Sequence, residues 1–141
     1  MATLYDDVLN YLAAEGLIDG STGWAGKAAY MPATPNKLIC VFETPGEPPE
    51  SKKDGSDEQE YDLPGFQIRG RGEAFGYDAL RAKMQEIFLA LHGSSLSPSS
   101  GDPGYVYVFA VQSGPMPMGY DDNSRPGLTW NYRCMRERET T

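Results

Sequence analysis

Cysteine and histidine, which carry much metal and nucleophilic chemistry, are scarce in this 141-residue chain. It has two cysteines and one histidine. Cys40 and Cys134 lie far apart in strand-like stretches and make no zinc spacing with His92. They read as two small buried apolar residues. His92 precedes Gly93 at an expected helix end, where it would interact with the last carbonyls. Nothing local supplies a nucleophile, base and orienting group. Basic residues are also few, 12 against 20 acidic, for a net charge of −8. That balance lacks the basic face that wraps nucleic acid. No apolar run approaches the ~20 residues that span a bilayer. The start, MATLYDDVLNYL, has no basic n-region of a secretory signal. A soluble protein made in the cytoplasm is expected, without cofactor or metal.

The acidity is concentrated. Residues 43 to 62 hold Glu43, Glu47, Glu50, Asp54, Asp57, Glu58, Glu60 and Asp62 against Lys52 and Lys53. That stretch is −6, which leaves −2 for everything else. Neither Asp54-Gly55-Ser56-Asp57-Glu58 nor Asp121-Asp122-Asn123 has EF-hand spacing, so both read as solvated loops. Nothing in their spacing selects a two-carboxylate hydrolase.

The chain is organised around residues 66 to 91. Phe66-Gln67-Ile68-Arg69 alternates as a half-buried strand does. Gly70 and Gly72 break it, and a helix follows from about Tyr77 to Gly93. Leu80, Met84, Ile87, Phe88 and Leu91 form its apolar stripe. An earlier helix is capped by Thr3, carries Leu4, Val8, Tyr11 and Leu12, and stops at Gly16. A short edge strand is expected at residues 28 to 31, closed by Pro32 and Pro35. Leu38 to Phe42 is apolar without alternation, hence a strand covered on both faces. Pro45 to Pro64 is polar and acidic and reads as a long loop. Ser94 to Gly104 is a second loop. Tyr105 to Val111 is again apolar on both faces. Gly114 to Gly127 is turn-rich. From Leu128 the last strand alternates, with Trp130, Tyr132 and Cys134 on one face. The charged tail after Cys134 would fray. The expected domain, residues 1–141, is α+β: two helices on a mostly antiparallel sheet of four or five strands.

Gly70-Arg71-Gly72-Glu73-Ala74-Phe75-Gly76 sits between strand and helix like a dinucleotide fingerprint, but the glycine spacing differs and no βαβ repeat surrounds it. A tight turn is expected. Arg69 and Arg71 share a strand face. They are ordinary solvated arginines or bidentate partners for a neighbouring subunit's carboxylate. Two helices cover one sheet face, yet two strands are apolar on both faces. A second copy of the chain is the expected cover, ahead of the chain's own loops.

Three stretches together resemble the tail terminator and minor capsid (head–tail joining) proteins of long-tailed bacteriophages. They are LYDDVLNYLAAEGLI, the strand-turn-helix FQIRGRG to YDALRAKMQEIFLALHG, and PMPMGYDDNSRPGLTWNYR. The resemblance implies a structural virion protein at the head-proximal end of the tail, assembled in the host cytoplasm. It implies a ring of six copies that caps the tail tube, stops its polymerisation and docks to the neck. The implied partners are sibling copies, tube protein and a neck or head-completion protein. DNA would pass through the bore without specific binding, and no membrane is involved. No enzymatic activity and no cofactor are implied. Candidate subunit or tube contacts are Arg69, Arg71, Tyr105, Tyr107, Phe109, Met118, Gly119, Tyr120, Asp121, Asp122 and Arg125. Two alternatives stay open: a head-closure or tail-to-head adaptor, and, in another class, a small carboxylate-using hydrolase or ligand-binding domain.

Overall fold

The computed structural model describes residues 4–50, 61–96 and 105–137. Helix α1 spans Leu4–Ala14 and buries Leu4, Val8 and Leu12, the expected four-residue spacing. Gly16 ends it at φ 74°, a left-handed value that suits glycine. The expected cap Thr3 lies outside the described residues. Helix α2 spans Tyr77–Leu91. Its stripe behaves as its periodicity demands: Leu80, Met84, Ile87 and Leu91 are buried, each worth about 1.5–3 kcal/mol. Phe88 is half-buried and stacks on Trp130 at 4.6 Å.

Six strands follow the order β1-β2-β3-β6-β4, with β5 also on β6. They are β1 (Ala25–Ala28), β2 (Leu38–Glu50), β3 (Tyr61–Arg71), β4 (Tyr105–Ala110), β5 (Met116–Tyr120) and β6 (Pro126–Glu137). Only β1 and β2 pair in parallel. Strand β6 is the axis. One edge takes β3. The other takes β5 beside residues 126–129 and β4 beside residues 132–136. Strands β4 and β5 therefore run end to end, as one edge interrupted at residues 111–115.

Four expectations change. There are six strands rather than four or five. The edge strand lies three residues earlier than expected, at Ala25–Ala28, and ends where Ala29 turns to φ 64°. Strand β5 lies inside the segment expected to be turn-rich, and it holds Pro117. Edge position permits this, because proline has no N–H for the ladder. Most of all, Pro45 to Pro64 is not one loop. Strand β2 continues to Glu50 and β3 starts at Tyr61, with Glu47 opposite Leu63 and Glu50 opposite Tyr61. Register shifts on both sides of Glu47 absorb the proline-rich sequence as bulges. Residues 51–60 of that segment, and 97–104 of the second expected loop, lie outside the described residues.

Both helices pack on one face, where Val41, Ile68 and Trp130 stand in one cross-strand row and are fully buried. On the other face, Leu38 and Cys40 are also buried. By register, Cys40 and Cys134 lie on opposite faces with β3 between their strands. Burial pushes the Cys40 thiol up to about 11, with Arg71 and Arg69 pulling back. It pushes Cys134 up to about 12.

Two tests follow from this packing. Gly46 sits at φ +70°, and a Cβ there would lie 2.2 Å from the Leu63 carbonyl oxygen. Gly46→Val should therefore cost roughly 1–3 kcal/mol, read as a lower urea midpoint; an unchanged midpoint would remove the bulge from the ladder. Both thiols should resist a disulfide reagent at pH 8 until the chain unfolds. The neutral thiols support folding fully below the ordinary thiol pKa of about 8.5. That support is lost as pH rises through about 11.

Candidate interaction site

The sequence candidates converge where β3 ends and the β5–β6 hairpin turns. Arg71, the last residue of β3, is 8% exposed. Its Nη2 donates to the carbonyls of Pro32 and Pro35, each at 2.7 Å, and its Nε to Asn36 O at 3.2 Å. The planar fork of guanidinium suits three carbonyls presented by one bend. Arg125, 9% exposed, reaches the same bend through Nη1, to Ala33 O at 2.8 Å and Asn36 Oδ1 at 3.3 Å. Residues 32–36 are thus pinned over the sheet face opposite the helices.

Asp121 holds the hairpin. Its Oδ1 accepts the N–H groups of Asn123 and Arg125, each at 2.9 Å, and its Oδ2 accepts Arg125 Nε at 2.8 Å. This is an Asx turn closed by an ion pair. The Arg125 backbone N–H is the largest cause holding this carboxyl below its usual range; the Arg125 side chain and the Asn123 N–H add to it. Burial, then the neighbouring Arg125 cation, lowers the Arg71 guanidinium. The turn before α2 is tied to the same hairpin, with Gly72 N on Pro126 O at 3.1 Å and Phe75 N on Ser124 O at 2.9 Å.

Between these parts lies an open hollow of about 200 Å³, lined by Met31, Gly70, Arg71, Met118, Gly119, Tyr120, Asp121, Arg125, Pro126 and Gly127. Met118 is 63% exposed and Tyr120 58%. The structure therefore brings together Arg71, Met118, Gly119, Tyr120, Asp121 and Arg125. Asp122 is exposed in the same turn. Others lie farther along the same face. Arg69 is exposed, with its Nε on Gln67 Oε1 and its guanidinium 4.4 Å from the Phe42 ring centroid. Tyr107 and Phe109 stand 5.3 Å apart, and Arg133 lies 5.6 Å over Phe109. Tyr105 is in β4; its side chain lies outside what is described.

Sequence reasoning missed the bend at residues 31–36 as the partner of both arginines. Its contribution is carbonyl oxygen, which no residue type announces. His92 caps α2 through its backbone, its N–H donating to Phe88 O at 2.9 Å. Its ring was not foreseen: Nδ1 accepts the Ala110 N–H at 3.0 Å, and the ring stacks on Phe88 at 5.1 Å. The glycine-rich turn is structural, as expected. A Cβ on Gly70 would sit 2.7 Å from Leu80 Cδ1 and 2.8 Å from Met84 Sδ, because α2 crosses β3 there. Among the described residues, no group of three or more His, Cys, Asp or Glu is placed to hold a metal ion.

Replacing Arg71 by Lys should destabilise the fold by roughly 1.5–3 kcal/mol, because one ammonium cannot serve three carbonyls; faster amide exchange at residues 31–37 would accompany it. A wild-type melting temperature in that variant would dismiss the clamp. Since the folded Asp121 carboxyl is held low, its stabilisation is present above the unfolded value near about 3.9. It disappears as pH falls through the depressed folded value. Asp121→Asn should flatten the acid limb of the stability profile, and a profile that keeps its slope would assign the acid sensitivity elsewhere.

The geometry can be compared with known proteins. A chain from the solved "Virion of native gene transfer agent (GTA) particle" matches with a TM-score of 0.65 over 96% of this chain and 95% of that chain. At 15% identity this likeness shows a shared fold. No curated protein matches. The family profile described as "Bacteriophage tail terminator protein" matches residues 11–138, nearly the whole chain. This protein therefore belongs to the bacteriophage tail terminator family and is a structural protein of a phage tail.

Proposed function

We propose that copies of this chain close into a ring, six by analogy with the family. The ring caps the head-proximal end of the tail tube, stops tube growth and presents a surface to the neck. The observation that carries this reading is the family match across residues 11–138. The sheet face away from the helices supports it. Cover there comes from the bend at 31–36 at one end, while Tyr107, Met116, Met118 and Tyr120 remain exposed. Aromatic and methionine side chains of this kind are enriched at protein interfaces. A head-to-tail contact whose rotation closes gives a ring rather than a filament. The partners are sibling copies, tube protein and a neck or head-completion protein, and DNA traverses the bore without specific contacts. The chain works in the virion after assembly in the host cytoplasm. It acts by shape, without turnover, cofactor or membrane.

Of the candidate contacts, Arg71, Asp121 and Arg125 shape the site from within. Arg69, Tyr105, Tyr107, Phe109, Met118, Gly119, Tyr120 and Asp122 are the contact surface.

Deleting the gene should give tails of uncontrolled length and unjoined heads in negative-stain micrographs. Tails of normal length with detached heads would favour a head-to-tail adaptor instead. Arg69→Glu, at an exposed position, should impair particle assembly while leaving the melting temperature within about 1–2 °C of wild type, since surface substitutions shift stability by roughly ±0.5 kcal/mol. Full assembly in that variant would take Arg69 out of the contact.

A further inference from the structure

The hollow at the end of β3 holds an unbalanced charge. Two arginines, each more than nine-tenths buried as a whole residue, stand at one site with, among the described residues, a single bonded carboxylate, Asp121. Asp121 bonds Arg125, whereas the hydrogen-bond partners of Arg71 are three neutral carbonyls. Among the described residues Arg71 donates through Nε and Nη2 and Arg125 through Nε and Nη1, so one Nη on each makes no hydrogen bond. Neither of those Nη atoms is sealed from water, so a carboxylate can reach them and make charge-assisted hydrogen bonds. The hollow these groups line has room, about 200 Å³. That is below the roughly 300–1,000 Å³ of small-molecule sites, and it fits one side chain. Its rim of Met31, Met118 and Tyr120 is apolar, and methionine adapts to the shape of an incoming chain.

We propose that this hollow is a socket for a carboxylate side chain from the acidic segment, residues 43–62, of a second copy of this chain. The proposal rests on the ring reading and specifies its contact. Charge complementarity selects the occupant. That segment carries −6 of the chain's −8, and the socket is a buried site with cationic excess among the described residues. Geometry makes the contact intermolecular. Strand β3 runs 11 residues from Tyr61, beside the acidic segment, to Arg71 in the socket. At ~3.3 Å per residue the two ends lie roughly 33 Å apart. Glu50 and Asp62 stand at that far end, which favours a neighbour's socket over their own. Such a contact joins unlike surfaces and repeats head to tail.

The test leaves both arginines in place, because they hold the fold. Met118→Glu puts a carboxylate on the rim of an exposed position, where it competes for the socket in cis. A second variant, D54N/D57N/E58Q/E60Q, neutralises the segment. Sedimentation velocity of the full-length chain over a concentration series reads self-association, and thermal melting reads folding. Each variant should associate roughly tenfold more weakly or worse, as loss of a desolvated charge pair does, with melting temperature retained. Association of both variants at wild-type strength would overturn the socket while leaving the ring reading standing. A wild-type chain that stays monomeric here and in tails would remove the ring reading. A peptide of residues 43–62 then decides the socket by itself. Binding to the wild-type chain that is lost in Met118→Glu supports it, and no binding overturns it.

Discussion

The close approach of α2 to β3 at Gly70 is the contact on which the rest depends. A side chain there would collide with Leu80 and Met84. Its absence lets the helix lie directly on the sheet, with Phe88 stacked on Trp130 of β6. The same two-residue step places Arg71 on the opposite face at the strand's end, since neighbouring strand residues point to opposite faces. One short run of sequence therefore sets both the helix packing and the cation that pins the bend at residues 32–36.

The two sheet faces do different work. The helix face is a sealed hydrophobic layer that includes Val41, Ile68, Trp130 and Tyr132. The other face is mixed. Leu38 and Cys40 are buried there, Gln67 bonds Asn131 at 2.9 Å, and aromatic and methionine residues lie exposed along β4 and β5. Burial by the chain's own bend stops partway. Exposed aromatic and methionine side chains of this kind are enriched at protein interfaces.

Charge is distributed lengthwise. Glu50 and Asp62 stand at one end of the β2–β3 pair, and Arg71 and Arg125 lie at the other. A molecule polarised along its sheet disfavours like-to-like pairing and favours pairing of opposite ends.

The helices were legible in the residues alone, since Leu80, Met84, Ile87 and Leu91 repeat with helical period, as Leu4, Val8 and Leu12 do, and Gly93 and Gly16 mark where they stop. The alternating final strand was legible because burial leaves a period, and the two doubly apolar strands by their unbroken apolar runs. Strand β5 and the continuation of β2 to Glu50 were not. Their prolines and charges read as loop, and only pairing with β6 and β3 makes them strands. Arg71, Asp121 and Arg125 were visible as charges, and their convergence was not. A local pattern can state which side of an element is apolar, because that depends on neighbours in sequence. It cannot state that Arg125 meets Ala33, 92 residues away. Such contacts exist only after the sheet has ordered its strands, and the tertiary structure alone decided them.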